Sequence, residues 1–188
     1  MQKRLPPRKR LRLRNYDYTL PGHYAITLCT YHREHLFGEI ENYEMQRSPV
    51  GELAQTELLR LPGRYENVEV DVFMVMPNHI HLILAMGGTS DVQQVIAGYK
   101  NRVSYFARRD HAVAHLWQRR FFDHVVRHSD SLERHRDYVL SNPAQWDLDE
   151  LNQSNWNSYI ETNPNLRWRD QCSGVDELRG SASSESRL

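Results

Sequence analysis

Residues 68–86 read VEVDVFMVMPNHIHLILAM, two runs rich in Val, Ile, Leu, Phe and Met joined by Pro77-Asn78. Pro-Asn suits a tight reversal, so the stretch predicts an antiparallel hairpin of residues 68–76 with 79–86. Side chains alternate along a strand. In the second run, Ile80, Leu82 and Leu84 therefore point one way, and His79, His81, Ile83 and Ala85 the other. Apolar residues on both faces are the pattern of a central strand, covered above and below.

Upstream, residues 50–61 carry Leu53, Leu58, Leu59 and Leu61 among good helix formers, and Pro62-Gly63 stops the helix they predict. A loop through Gly38 and Ser48 precedes it. Before that loop, residues 23–31 alternate Tyr24, Ile26 and Leu28 with Ala25, Thr27 and Cys29, which predicts a first strand. Downstream, Thr89 or Ser90 can cap a helix whose buried stripe is Val92, Val95, Ile96, Tyr99, Val103 and Phe106. After the loop HLWQRR comes a strand over residues 121–127. Asp130 and Glu133 have the spacing of a capping box, opening a last helix that runs through Tyr138 and stops at Pro143.

The order predicts an α+β fold: a ferredoxin-like βαββαβ sandwich with helices on one face of an antiparallel sheet, plus an additional C-terminal helix carrying the tyrosine. In that arrangement the first and third strands are central, as the two-faced pattern of residues 79–86 requires. Three regions follow: a basic N-terminal arm over residues 1–20, a core over 21–146, and a polar extension over 147–188 expected to be partly disordered. There is no internal repeat.

The chain of 188 residues balances 24 basic against 24 acidic side chains, but unevenly. Lys3, Arg4, Arg8, Lys9, Arg10, Arg12 and Arg14 meet no acid in the first 14 residues. Lys100, Arg102, Arg108, Arg109, Arg119 and Arg120 meet only Asp110, and acids outnumber bases by eight to four beyond Pro143. Such asymmetry can steer a polyanion to one surface while the total stays neutral; it also fits solvated faces and a free arm. No run approaches the roughly 20 apolar residues of a spanning helix, so a cytoplasmic protein without a membrane partner is expected. Cys29 and Cys172 form no CxxC pair and carry no predicted chemistry.

His79 and His81, two apart on one strand face with Cβ atoms roughly 6–7 Å apart, can meet one cation. The same spacing also arises where two imidazoles simply find polar partners inside a sheet. Tyr138 and Asn142, at i and i+4, share a helix face. By themselves they read equally as a packing tyrosine and an end cap before Pro143. A carboxamide oxygen with two neutral imidazoles is a hard donor set suited to Mg²⁺ or Mn²⁺ when phosphate adds oxygens, and it is not the four-ligand set of a structural zinc.

Taken together, VMPNHIHLIL, GYKNRVSYFAR, LWQRRFFDHVVR and RDYVLSNPAQW resemble the REP-associated tyrosine transposases and the single-tyrosine transposases of insertion-sequence 200/605 type, within the HUH nuclease superfamily. The opening NYDYTLPGHYAITLCTYHREHLFGEI also looks like the start of such proteins. The resemblance implies a divalent-cation-dependent endonuclease and strand transferase that cuts single-stranded or hairpin DNA through a 5′-phosphotyrosine intermediate. It assigns the nucleophile to Tyr138 and the cation to His79, His81 and Asn142; SNPAQW departs from relatives that carry a basic residue after Asn-Pro. Arg8, Lys9, Arg10, Arg12, Arg14, Lys100, Arg102, Trp117, Arg119 and Arg120 are the candidate DNA contacts. Tyr105 and Tyr99 are rival nucleophiles, Tyr99 set aside because it falls on the buried stripe. A regulator that binds hairpins without cutting is the alternative. A homodimer and a monomer remain equally open.

Overall fold

The computed structural model describes residues 16–149, 151 and 152. The basic arm's Arg8, Lys9, Arg10, Arg12 and Arg14, together with Cys172, lie outside them. Six strands and three α-helices appear in the described residues. They are β1 (Gly22–Cys29), β2 (Gly38–Glu41), β3 (Glu44–Arg47), α1 (Pro49–Leu59), β4 (Val68–Val75), β5 (His79–Met86), α2 (Val92–His111), β6 (Phe122–Val126) and α3 (Ser129–Ser141).

β4, β5, β1 and β6 form one antiparallel sheet in that order, so β1 and β5 are central and the ferredoxin-like reading stands. β5 is buried along nearly its whole length. Its turn is the predicted one: the Met76 amide donates to the His79 carbonyl at 2.8 Å, closing the hairpin over Pro77-Asn78. On one face Tyr24, Ile26, Leu28, Ile80, Leu82 and Leu84 pack under Ala54 and Leu58 of α1 and Val95, Ile96, Tyr99 and Val103 of α2. Each such aliphatic side chain contributes about 1.5–3 kcal/mol by leaving water. The opposite face receives α3, against β4, β5 and β6.

Several local expectations are corrected. The stretch through Gly38 and Ser48 is a short hairpin, β2 with β3, whose turn residues Asn42 and Tyr43 both have positive φ. That backbone suits a primed turn, but Asn-Tyr lacks the glycine that announces one. α1 is capped by Ser48, which accepts from the Gly51 amide at 3.1 Å, and ends before the buried Leu61. α2 is capped by Asp91 instead of Thr89 or Ser90, because its carboxylate accepts the Gln93 amide at 2.6 Å. Phe106 sits half-buried beneath the guanidinium groups of Arg102 and Arg109, and Ala107 takes the buried place. α3 starts after His128 without a side-chain cap; Glu133 turns instead to Arg136 at 2.6 Å. No helix among the described residues is long and apolar enough to cross a membrane.

Candidate active site

β5 carries His79 and His81 on the face that α3 covers. Both are buried, with ring centroids 4.5 Å apart. The arrangement follows from register: Thr27 on β1 pairs with His81, and Cys29 pairs with His79. Thr27 Oγ1 lies 3.0 Å from His81 Nδ1, and Asn78 Oδ1 lies 2.8 Å from His79 Nδ1.

The Asn78 contact fixes a tautomer. Its amide nitrogen donates to the carbonyls of Arg33 (3.1 Å) and Leu151 (2.8 Å), so the side chain cannot be reversed without losing both. Oδ1 therefore faces His79, whose Nδ1 must donate, and the Nε2 lone pair is left pointing away. That Nε2 is buried with no hydrogen-bond partner among the described residues. Burial is the largest influence on the ring, and the nearby charges of His81, Arg33 and His35 act with it. Together they hold His79 well below the usual histidine range and keep it neutral, the form that ligates a cation.

α3 brings Tyr138 to the same place. Its ring meets that of His81 edge-on, with centroids 5.2 Å apart, while the side chain stays 43% exposed. A cleft beside it is lined by Thr27, His81, His124, His135 and Tyr138. One turn further along, at the C-cap of α3, Asn142 is buried, and its Oδ1 also lacks a hydrogen-bond partner among the described residues. Unsatisfied buried polar atoms are costly, and a bound cation is one way to satisfy them.

Three residues of this site escaped the sequence reading. Asp149 places a carboxylate oxygen 3.7 Å from His79 Nε2, and ligand atoms of His79, His81 and Asp149 all lie within 4.8 Å of one another. Trp146 is buried beside His79, with ring centroids 6.1 Å apart. Asn78, read only as a turn residue, orients the first histidine. A short 3-10 turn over Pro143–Leu148 leads the chain from Asn142 to Asp149, and the Asp149 amide donates to the Trp146 carbonyl at 3.1 Å. The sequence signal for Asp149 was weak, because it stands in a polar stretch beyond the last helix.

The candidate DNA contacts are distributed differently. Lys100 is largely enclosed, donates to the Gln118 carbonyl at 2.7 Å, and burial pushes its pKa down to about 8. Trp117 packs on Phe37 and Tyr99 and donates its indole N–H to the Lys100 carbonyl at 3.1 Å, so it is a wall and not an open stacking surface. Arg102 binds Glu57 at 2.7 Å on the far side of the sheet from the histidines. Arg119 and Arg120 are exposed in the loop before β6. Of the rival tyrosines, Tyr99 is buried and donates to the Ala54 carbonyl at 3.0 Å, and Tyr105 lies exposed on α2.

Comparison with known proteins bears on the fold and the family. The chain is 28% identical to an uncharacterized protein of Haemophilus influenzae, over 77% of this chain and 92% of that one. It is 26% identical to a REP-associated tyrosine transposase of Escherichia coli over 41% of this chain, spanning about half of that protein (45%). A solved REP-associated tyrosine transposase bound to a REP hairpin shares the fold at a TM-score of 0.56 and 19% identity, covering 71% of this chain and 73% of that one. A family model described as "Transposase IS200 like" matches residues 22–142, from the start of β1 to Asn142. The chain belongs to the IS200-like transposase family.

Proposed function

We propose that the chain is a divalent-cation-dependent endonuclease and strand transferase for single-stranded or hairpin DNA, with Tyr138 as nucleophile. The observation that carries this reading is the meeting of an accessible phenol with a buried histidine pair, Tyr138 against His81, beside a His79 nitrogen that has a free lone pair. His79, His81 and Asp149 would hold the cation, with the Asn142 carboxamide as a further oxygen donor. Neutral imidazoles with hard oxygens favour Mg²⁺ or Mn²⁺. Bound there, such an ion would offset charge on the scissile phosphate.

The chain's own contribution is alignment and a leaving-group exchange. Tyr138 Oη attacks the phosphorus, the phenol proton is lost to solvent, and the bond to the 3′ oxygen breaks as that oxygen takes up a proton from solvent. One strand end is left as a free 3′-OH and the other as a 5′-phosphotyrosine. A phenol has an ordinary pKa of about 10, so its ionisation must accompany attack. The phosphodiester-like link conserves the bond energy, and a second 3′-OH can displace the tyrosine, which makes cutting reversible and permits strand transfer.

The test is incubation with hairpins carrying labelled single-stranded flanks in Mn²⁺ or Mg²⁺. A denaturation-resistant protein–DNA band supports the reading. Hairpin binding without any such band would favour the non-cutting regulator.

A further inference from the structure

The side of the sheet away from His79 and His81 carries a second concentration of chemistry. Between the segment after α1 and the outer face of α2 lies an open concavity of about 420 Å³, lined in part by Arg64, Tyr65, Gly98, Asn101, Arg102 and Tyr105. Its volume falls within the roughly 300–1,000 Å³ of small-ligand sites.

Charge is the first observation. The Glu57 carboxylate is wholly buried, and three guanidinium groups converge on it: Arg60 at 2.8 Å, Arg64 at 2.7 Å and Arg102 at 2.7 Å. One arginine would neutralise one carboxylate; here the cluster keeps a surplus of two positive charges. Arg64 and Arg102 both reach the concavity and remain partly exposed, and each fork has N–H donors beyond the one turned to Glu57.

Aromatic faces and a glycine are the second. Tyr105 is 61% exposed on the rim. Tyr65 lies so close to α2 that a Cβ at position 98 would stand 2.1 Å from its hydroxyl, so glycine is what lets this tyrosine rest against the helix. Exposed Asn101 adds a carboxamide with both donors and an acceptor. Guanidinium groups, tyrosyl rings and one amide are the groups that recognise a phosphate, a base face and a base edge.

We propose that this concavity binds an unpaired nucleotide of the DNA, with Arg64 and Arg102 on its phosphate, the exposed Tyr105 as stacking surface, Tyr65 as the wall beside it and Asn101 on the base edge. The proposal rests on the DNA-cutting reading and gives that substrate a second holding point, on the opposite side of the sheet from Tyr138. A paired stem would offer phosphates alone to such a site, whereas an unstacked base uses the rings as well.

The test uses the full chain carrying Tyr138→Phe, so that no nucleophile adduct interferes, and a single-stranded pentanucleotide bearing 5-iodouracil. Irradiation followed by peptide mapping is expected to place the crosslink on Tyr65 or Tyr105. Adding Tyr105→Ala is expected to weaken pentanucleotide binding about tenfold with an unchanged melting temperature. Crosslinks confined to other residues, with equal affinity in the Tyr105→Ala protein, would overturn the proposal and leave Tyr138 chemistry untouched. Crosslinks at Tyr65 or Tyr105 in a protein whose unsubstituted form makes no adduct would uphold this site and remove the nuclease reading.

Discussion

Arg136 of α3 grips Asp71 of β4 with two nitrogens, Nε at 2.9 Å and Nη2 at 3.0 Å. Asp71 is the extra residue where β4 slips register against β5 between Val70 and Val72, a bulge that re-aims the strand locally. Arg136 lies two residues before Tyr138, so the forked pair ties the tyrosine's helix to the sheet's edge strand. Glu133 holds the same guanidinium from the other side at 2.6 Å.

Loosening that tie should misplace the phenol more than it unfolds the protein. Asp71→Asn or Arg136→Gln is expected to slow adduct formation by roughly 10- to 100-fold, the penalty for about an ångström of misalignment. Melting temperature should change little for a pair that water reaches. The measurement is the single-turnover rate of the covalent band, and the reciprocal exchange of Asp71 and Arg136 should recover part of it.

Asn78 would act on a bound cation through His79, the ring that its Oδ1 faces. Asn78→Ala removes the acceptor that fixes the Nδ1 proton and releases the carbonyls of Arg33 and Leu151. The Mn²⁺ concentration for half-maximal adduct formation is expected to rise about 10- to 100-fold. An unchanged metal titration would show that His79 needs no such orientation.

Metal removal gives a separate check. A chelator in excess should abolish the adduct while hairpin binding persists, and Mn²⁺ or Mg²⁺ should restore it. Gel shift and denaturing gel, run on the same samples, read the two quantities apart.

Glu57 sets an acid limit on stability. Burial pushes its carboxyl up, but hydrogen bonds from Arg64, Arg60 and Arg102 outweigh it, and the folded value lies below the ordinary 4.5. The unfolded chain therefore takes up this proton first as pH falls. The stabilisation is complete above about pH 5 and is lost as pH drops through the folded value. Glu57→Gln should lower the melting temperature at pH 7, by less than the ~3–5 kcal/mol of a fully enclosed pair because the guanidinium groups reach solvent. Once the pH lies below that folded value, the two proteins should melt alike.

The hairpin of β4 and β5 was legible because two runs rich in β-formers and Pro-Asn between them agree, and the stripe of α2 because Val92, Val95, Ile96, Tyr99 and Val103 keep helical spacing to the core. β2 and β3 were not, since their residues are mostly exposed and polar and their turn places Tyr43 at positive φ. At the candidate site, strand period two gave the shared face of His79 and His81, and helix period gave Tyr138 with Asn142. Neither period reaches Asp149, which returns to His79 through a 3-10 turn that composition alone reads as loose chain. Arg102 was read as a candidate DNA contact without sight of its partner for the same reason: Glu57 is 45 residues away and meets it only once α1 and α2 pack.

The most direct measurement is peptide mapping of the covalent product after nuclease digestion. The account predicts a nucleotide attached through phosphate to Tyr138, and no covalent product in Tyr138→Phe. Attachment at Tyr105 or any other residue, or an undiminished adduct in Tyr138→Phe, would contradict it.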